Sequence, residues 1–148
     1  MEQTDKTNKN KKTLGAVVGI ITFGLSYFAV QQIFFKKPSF DKAMMEAASE
    51  INKTCPIMVD KETRLDNTVA MPDNVFQYNY TLVNLTSAEI HPDTLRKYIE
   101  PNIINTVRTN PDMKIYRDSK TTMAYSYRDK VGEFILKILV TPDKYANE

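Results

Sequence analysis

The chain has 148 residues, which is room for one ordinary domain, and 42% hydrophobic with 26% charged residues is typical of a folded protein. Four Gly, seven Pro and one Cys exclude a collagen-like repeat and a disulfide-stapled mini-protein. The formal net charge of +2 is uneven, because residues 1–37 carry six Lys against two acidic residues, whereas residues 38–148 carry 14 basic and 16 acidic groups. This distribution argues against a nucleic-acid-binding surface on the larger part of the chain.

Residues 14–35 are uncharged and mostly apolar, with lysines on both flanks. Their 22 residues would form a helix of roughly 33 Å, which matches the hydrocarbon core of a bilayer. A cleaved signal has a shorter apolar region, so the pattern favours an uncleaved transmembrane helix. The lysines before it predict a disordered basic cytoplasmic tail over residues 1–13 and an extracytoplasmic, periplasmic domain over residues 38–148. We therefore expect a single-pass protein of the inner (plasma) membrane.

Small residues recur within this segment at steps of three and four. Such a stripe allows two helix backbones to approach closely, which predicts a contact with a second copy or with another membrane protein. The same residue types are common in membrane helices without any contact, and the pattern leaves both readings open. The members of the stripe are Gly15, Gly19, Thr22, Ser26 and Ala29.

The next part of the chain changes its periodicity. Apolar residues at helical spacing predict an amphipathic helix from Phe40 to Ile51. Short strands are predicted over residues 57–59 and 68–71, with a polar loop between them. Alternating aromatic and polar residues then predict a strand with one buried face over residues 75–85.

A second helix is predicted over residues 92–107, opened by Pro92 and kinked or divided at Pro101. Short turns then separate three further strands, which favours an antiparallel meander. These strands are predicted over residues 113–117, 121–128 and 133–141. The expected fold class is therefore α+β, with a transmembrane helix followed by two helices packed on a curved antiparallel sheet.

Little in the sequence points to catalysis. Cys55 is the single thiol and His91 the single imidazole, so a thiol-dependent enzyme or redox factor would have to use this pair. Cys55 could equally form an intermolecular disulfide or pack as a small apolar side chain. One Cys and one His cannot complete a structural zinc site, and no phosphate loop or cofactor motif is present. We expect a protein that is not an enzyme and has no catalytic, cofactor-binding or metal site.

Several tyrosines are predicted on the strands. Tyrosine is enriched where proteins meet other proteins, which makes these residues a candidate partner surface. Cross-strand aromatic packing in a half-buried sheet accounts for the same pattern without a partner. The residues concerned are Tyr78, Tyr80, Tyr116, Tyr125 and Tyr127.

A short Lys-rich tail, one apolar span and a small α+β domain together resemble the layout of the VirB8-like envelope-assembly subunits of bacterial secretion systems. The run from Cys55 to Asp60, followed by Thr63 to Asp66, resembles one found in small uncharacterised bacterial single-span membrane proteins. These resemblances imply a non-enzymatic binding or assembly component of the cell envelope, with a protein partner or a second copy of itself. A small-ligand carrier is the remaining alternative, because a curved sheet and two helices can enclose an apolar pocket.

Overall fold

The computed structural model describes residues 40–146, which form an α+β domain with a five-stranded sheet. The α+β part of the predicted fold class is confirmed. In chain order the elements are α1 (Phe40–Asn52), β1 (Ile57–Met58), β2 (Thr63–Met71), β3 (Val75–Leu82), α2 (Pro92–Thr109), a 3₁₀ turn (Pro111–Met113), α3 (Lys114–Asp118), β4 (Thr122–Arg128), β5 (Phe134–Val140) and α4 (Pro142–Tyr145).

The strands lie in the order β1-β2-β3-β4-β5, and three of the four neighbouring pairs are antiparallel. The central pair, β3 with β4, is parallel. The expectation of a wholly antiparallel sheet is therefore wrong. Parallel neighbours need a long crossover connection, and here that connection runs through α2 and α3.

The error arises in residues 113–117, which were expected to form a strand and are helical instead. The Asn110 side chain accepts a hydrogen bond from the backbone N–H of Asp112 at 2.9 Å, and Pro111 occupies the first position of the turn. Arg117 then donates to the carbonyl oxygens of Val107 and Asn110 at 2.6 and 2.8 Å. The cap and the arginine together fold this segment back onto the end of α2.

Helix α2 begins at a capped residue and continues past its internal proline. The Nδ1 atom of His91 accepts a hydrogen bond from the Asp93 N–H at 3.3 Å, and Pro92 follows at a favoured first position. Pro101 lies on the exposed side, and the helix runs undivided from Pro92–Thr109. The predicted division at this proline does not occur.

Both long helices contribute to one core, which lies on one side of the sheet; we call this side the helix-side face. Helix α1 packs against β2 and helix α2 packs against β5. Every second residue of a strand points to the helix-side face and packs against these helices. The side chains shielded most completely are Phe76, Val107, Met123, Ile138 and Val140.

Strand β2 is longer than the sequence suggests, since residues 63–66 were expected in a polar loop. An amide side chain at the end of α1 fixes this strand to the helix. The Asn52 Oδ1 atom accepts from the Thr68 N–H at 2.7 Å, while Asn52 Nδ2 donates to the Thr68 carbonyl at 2.8 Å. Asn52 thus bonds to both backbone groups of one strand residue, which sets the position of α1 on the sheet.

Within residues 40–146 no helix has both the length and the apolar character needed to cross a membrane. The predicted fold class included such a helix, and on this finding that part of it is corrected. The apolar segment 14–35 itself lies outside the described residues, as do the members of its small-residue stripe, Gly15, Gly19, Thr22, Ser26 and Ala29.

Candidate functional site

The structure brings the five candidate tyrosines together into one aromatic cluster on the helix-side face. Tyr78 of β3 stacks on Tyr125 of β4 with ring centroids 5.5 Å apart, and Tyr80 stacks on Tyr127 at 5.2 Å. These pairs follow from the parallel register, which places each β3 tyrosine beside its β4 counterpart. We call Tyr78, Tyr80, Tyr116, Tyr125 and Tyr127 the tyrosine cluster.

Tyr116 reaches the cluster from α3 rather than from a strand, which corrects the position predicted for it. Its ring lies 5.1 Å from that of Phe76, which in turn packs edge-on to Tyr78 at 5.3 Å. The helical turn that replaces the expected strand therefore closes the cluster at the end where β3 and β4 begin.

Burial divides the cluster into two parts. Tyr116, Tyr125 and Tyr127 retain 5–8% of their exposure and belong to the core. Tyr78 and Tyr80 are only half-buried. The reading of these residues as cross-strand packing accounts for the first group, and only the second group offers surface to a partner.

The surroundings of the cluster favour the neutral phenols. Burial raises the pKa of Tyr78 to about 12, although a hydrogen bond with Tyr116 acts in the opposite direction. Burial and the nearby Asp60 carboxylate raise the pKa of Tyr127 to about 12. The pKa of Tyr80 is raised further, by burial and by neighbouring ionisable groups that include Cys55. The cluster is therefore uncharged at neutral pH.

The half-buried pair has a neighbouring segment on the β1 side of the sheet. Residues 55–60 approach closely enough for Cys55 to act on Tyr80 and for Asp60 to act on Tyr127. The side chain of Met58, which stands opposite Arg64 in the register, points to the other face of the sheet. Residues 55–60 therefore border the rings, but Met58 adds no apolar surface beside them.

The sequence predicts the tyrosines of this surface but not the segment beside them. Residues 55–60 carry no signal of their proximity to β3 and β4, because β1 is separated from these strands by β2 in the sheet.

The proposed pair of a thiol and its base is not assembled. His91 caps α2 on the protein surface, where its Nδ1 atom accepts from the Asp93 N–H. Cys55 is half-buried, and burial together with the Asp66 carboxylate raises the pKa of its thiol. A raised pKa lowers the fraction of reactive thiolate, which is the opposite of what a nucleophilic cysteine requires.

No group of three or more His, Cys, Asp or Glu residues within residues 40–146 is arranged to hold a metal ion. The carboxylates of residues 60–66 are engaged with their neighbours instead. Asp60 accepts from the backbone N–H groups of Glu62 and Thr63, and Asp66 accepts from Arg64 and Thr81. These bonds shape the turn into β2.

Residues 39–136 match the model of a protein family described as a domain of unknown function, DUF8479. The chain belongs to this family. The match takes in α1, the tyrosine cluster and most of the sheet, so the candidate site lies within the family's domain. None of the curated proteins matches the chain.

Three solved structures share the fold at low sequence identity. A Pseudomonas aeruginosa protein described as secreted is 12% identical, with a TM-score of 0.58 over 74% of this chain and 99% of its own. The type II secretion system pilotin AspS from Vibrio cholerae is 12% identical, with a TM-score of 0.54 over 70% and 90% of the two chains. The type 2 secretion system pilotin EpsS from Vibrio vulnificus is 11% identical, with a TM-score of 0.51 over 73% and 93%.

The comparisons correct the predicted location. A single-pass protein of the inner membrane was expected, yet the solved structures of this fold are a protein described as secreted and two secretion-system pilotins. The helices of residues 40–146 add no candidate span.

Proposed function

We propose that this domain is a non-enzymatic binding module of the cell envelope, which holds a protein partner of an assembly machinery on the surface formed by Tyr78 and Tyr80. The observation that carries the proposal is the division of the tyrosine cluster. Three rings are buried in the core, and the two beside them are only half-buried.

The chemistry of this surface fits a protein partner. Tyrosine combines a large apolar ring with a polar hydroxyl group and has few rotatable bonds, so ordering it on binding costs little entropy. The rings are already held in place by stacking on Tyr125 and Tyr127. A preformed surface of this kind binds without reorganising the core beneath it.

The shared fold supports an assembly role, because two of the solved structures with this architecture are described as pilotins of type II secretion systems. The raised thiol pKa of Cys55 and the capping role of His91 argue against the thiol-enzyme alternative. The small-ligand carrier and the resemblance to VirB8-like subunits stay predictions.

The test places a photoreactive benzophenone amino acid at position 80 of the full chain in its native cells, with position 79 as the matched control. The two residues are neighbours in β3 and are both half-buried, but their side chains point to opposite faces of the sheet. We expect irradiation to give one discrete protein adduct from position 80 and at least tenfold less from position 79.

Equal adduct yields at both positions, or none at position 80, would contradict the proposed surface. A Cys55→Ser variant in the same experiment separates the alternatives. If the domain is a binding module, the adduct from position 80 still forms in the Cys55→Ser variant. If the partner is held by an intermolecular disulfide or captured through thiol chemistry, that adduct is lost.

A further inference from the structure

The far edge of the sheet is formed by β5, and its outward-facing backbone is occupied by side chains. In an antiparallel ladder the N–H and C=O of one residue point to the same side, alternately toward the partner strand and away from it. The carbonyl of Lys137 accepts from Arg96 Nη2 at 3.0 Å, and that of Leu139 accepts from Lys144 Nζ at 3.0 Å. Two successive outward carbonyls are thus bonded to cationic side chains.

One carboxylate holds both cations in place. The Glu100 Oε2 atom accepts from Arg96 Nη1 at 3.3 Å, and Glu100 Oε1 accepts from Lys144 Nζ at 2.8 Å. The Glu100 side chain retains only 20% of its exposure. The hydrogen bond with Lys144, together with Arg96, lowers its pKa despite the opposing effect of burial, so the carboxylate stays charged at neutral pH. We call Arg96, Glu100 and Lys144 the edge clamp.

The clamp joins three elements that are distant in sequence. Arg96 and Glu100 lie one turn apart on α2, the carbonyls belong to β5, and Lys144 comes from α4. Arg108 also donates to the Lys144 carbonyl at 2.8 Å, which fixes α4 against the end of α2. Ordering two long cationic side chains costs conformational entropy, and exposed ion pairs contribute little net stability. A gain in stability alone therefore does not account for this arrangement.

The strand beneath the clamp has the features of an association-prone edge. It has seven residues, whereas β1 at the opposite edge has only two. Phe134 and Leu139 of β5 remain 55% and 45% exposed. A long edge strand with exposed apolar residues pairs readily with another such strand unless its backbone is covered.

We propose that the edge clamp of Arg96, Glu100 and Lys144 prevents β5 from pairing with β5 of a second copy of this chain, and that releasing it allows the two sheets to join antiparallel. A second copy is the occupant because it offers an identical strand. Across a two-fold axis each copy would present to the other the same outward backbone groups and the same exposed apolar side chains of β5.

The test compares the full chain with an Arg96→Ala/Lys144→Ala variant by hydrogen exchange of the Lys137 and Leu139 amides at increasing protein concentration. These amides point away from β4 and become protected only when another strand pairs there. We expect exchange in the variant to slow at least tenfold with concentration, and its mass to rise from one chain to two. Exchange in the unaltered chain should not depend on concentration.

Lys114→Ala is the matched control, because it removes another lysine–carboxylate pair, with Asp118, that lies on the surface away from β5. If the double variant does not fold, Glu100→Gln decides with the same readout, since it keeps the side-chain shape and removes only the charge. A folded variant whose amides exchange independently of concentration would overturn the proposal. Concentration-dependent protection of equal size in the unaltered chain would overturn it as well.

Discussion

The two faces of β3 carry opposite kinds of chemistry on one strand. On the helix-side face Phe76, Tyr78 and Tyr80 stack with rings from β4 and α3. On the opposite face Gln77 donates to Asn79 at 2.7 Å, and Asn79 donates to Asn67 of β2 at 2.7 Å. We call this second set the amide row.

The difference shows where the free energy of folding resides. Rings removed from water contribute through burial and close packing, which are lost in full when a ring is removed. Amide hydrogen bonds on a partly exposed face replace bonds to water and contribute little net stability. We therefore expect changes on the helix-side face to be costly and changes in the amide row to be mild.

The largest expected effect comes from Phe76→Ala. Its side chain is fully buried and contacts the rings of Tyr78 and Tyr116, so truncation leaves a cavity that the cluster cannot fill. We expect the free energy of unfolding to fall by about 3–5 kcal/mol, measured by urea denaturation. A loss below about 1 kcal/mol would mean that the cluster is loosely packed.

Alkaline pH should act on the helix-side face alone, because the amide row has no group that titrates. Burial raises the pKa of Tyr127 from 10.0 to about 12 in the folded state. The stabilisation is therefore fully present below pH 10 and is lost as the pH rises toward 12, when the phenols of the unfolded chain ionise first. For Tyr127 this amounts to about 3 kcal/mol.

The measurement is urea denaturation across this pH range, with phenolate absorbance followed in parallel. Most of the phenolate signal of the cluster should appear together with unfolding rather than before it. Tyr98 is the internal reference, since this residue is 71% exposed. Ionisation of all tyrosines well before unfolding would contradict the buried state of the cluster.

The sequence predicts those features of the two faces that depend on a single helix or strand, but not those that depend on distant parts of the chain. The alternation of Phe76, Tyr78 and Tyr80 with polar residues identified a two-faced strand, and the helical spacing from Phe40 to Ile51 identified α1. Both follow from the geometry of single elements. The direction of β4 relative to β3 depends on the connection between them. Because residues 113–117 were predicted as a strand instead of a helix, β4 was expected in an antiparallel meander, whereas it is parallel to β3. The Asn110-Pro111 cap was the local signal that would have prevented the error.

Register was beyond the reach of the sequence for a different reason. A strict period of two would place Phe134 in the core with Leu136 and Ile138, yet Phe134 is 55% exposed while Ile135 is buried. The pairing between β4 and β5 shifts between Tyr127 and Arg128, which changes the face of the strand end. Four of the five tyrosines of the cluster could be assigned to strands from their pattern, but their pairing depends on the same long-range register.

A moderate effect is expected from Tyr145→Phe, which changes a single atom on the helix-side face. The Tyr145 hydroxyl donates to the Thr121 carbonyl at 2.9 Å, and both residues are buried. Removing it leaves the carbonyl without this donor in a site closed to water, so we expect a loss of about 1–2 kcal/mol in the free energy of unfolding. Thr121→Val is not an equivalent change, because the bonded group is the backbone carbonyl. A loss indistinguishable from zero would indicate that water reaches this carbonyl.

The smallest effect is expected from Gln77→Leu in the amide row. The change removes the bond from Gln77 Nε2 to Asn79, but it also removes a buried Oε1 atom that has no hydrogen-bond partner. The new side chain would lie in a cross-strand row with Val69 and Leu139, which are 42% and 45% exposed. The loss of the hydrogen bond to Asn79 and the removal of the unpaired Oε1 atom have opposite effects on stability. We therefore expect the free energy of unfolding to change by less than about 0.5 kcal/mol.

Gln77→Glu is the matched control for that substitution, because it keeps the shape of the side chain and places a charge where an acceptor already lacks a donor. We expect it to destabilise the fold measurably more than Gln77→Leu, and increasingly so as the pH rises through the range in which the carboxyl ionises. The opposite order would mean that a donor reaches the Oε1 position. The amide row would then be a hydrogen-bonded surface that holds the strands together, and the contrast between the two faces of β3 would be smaller than their composition suggests.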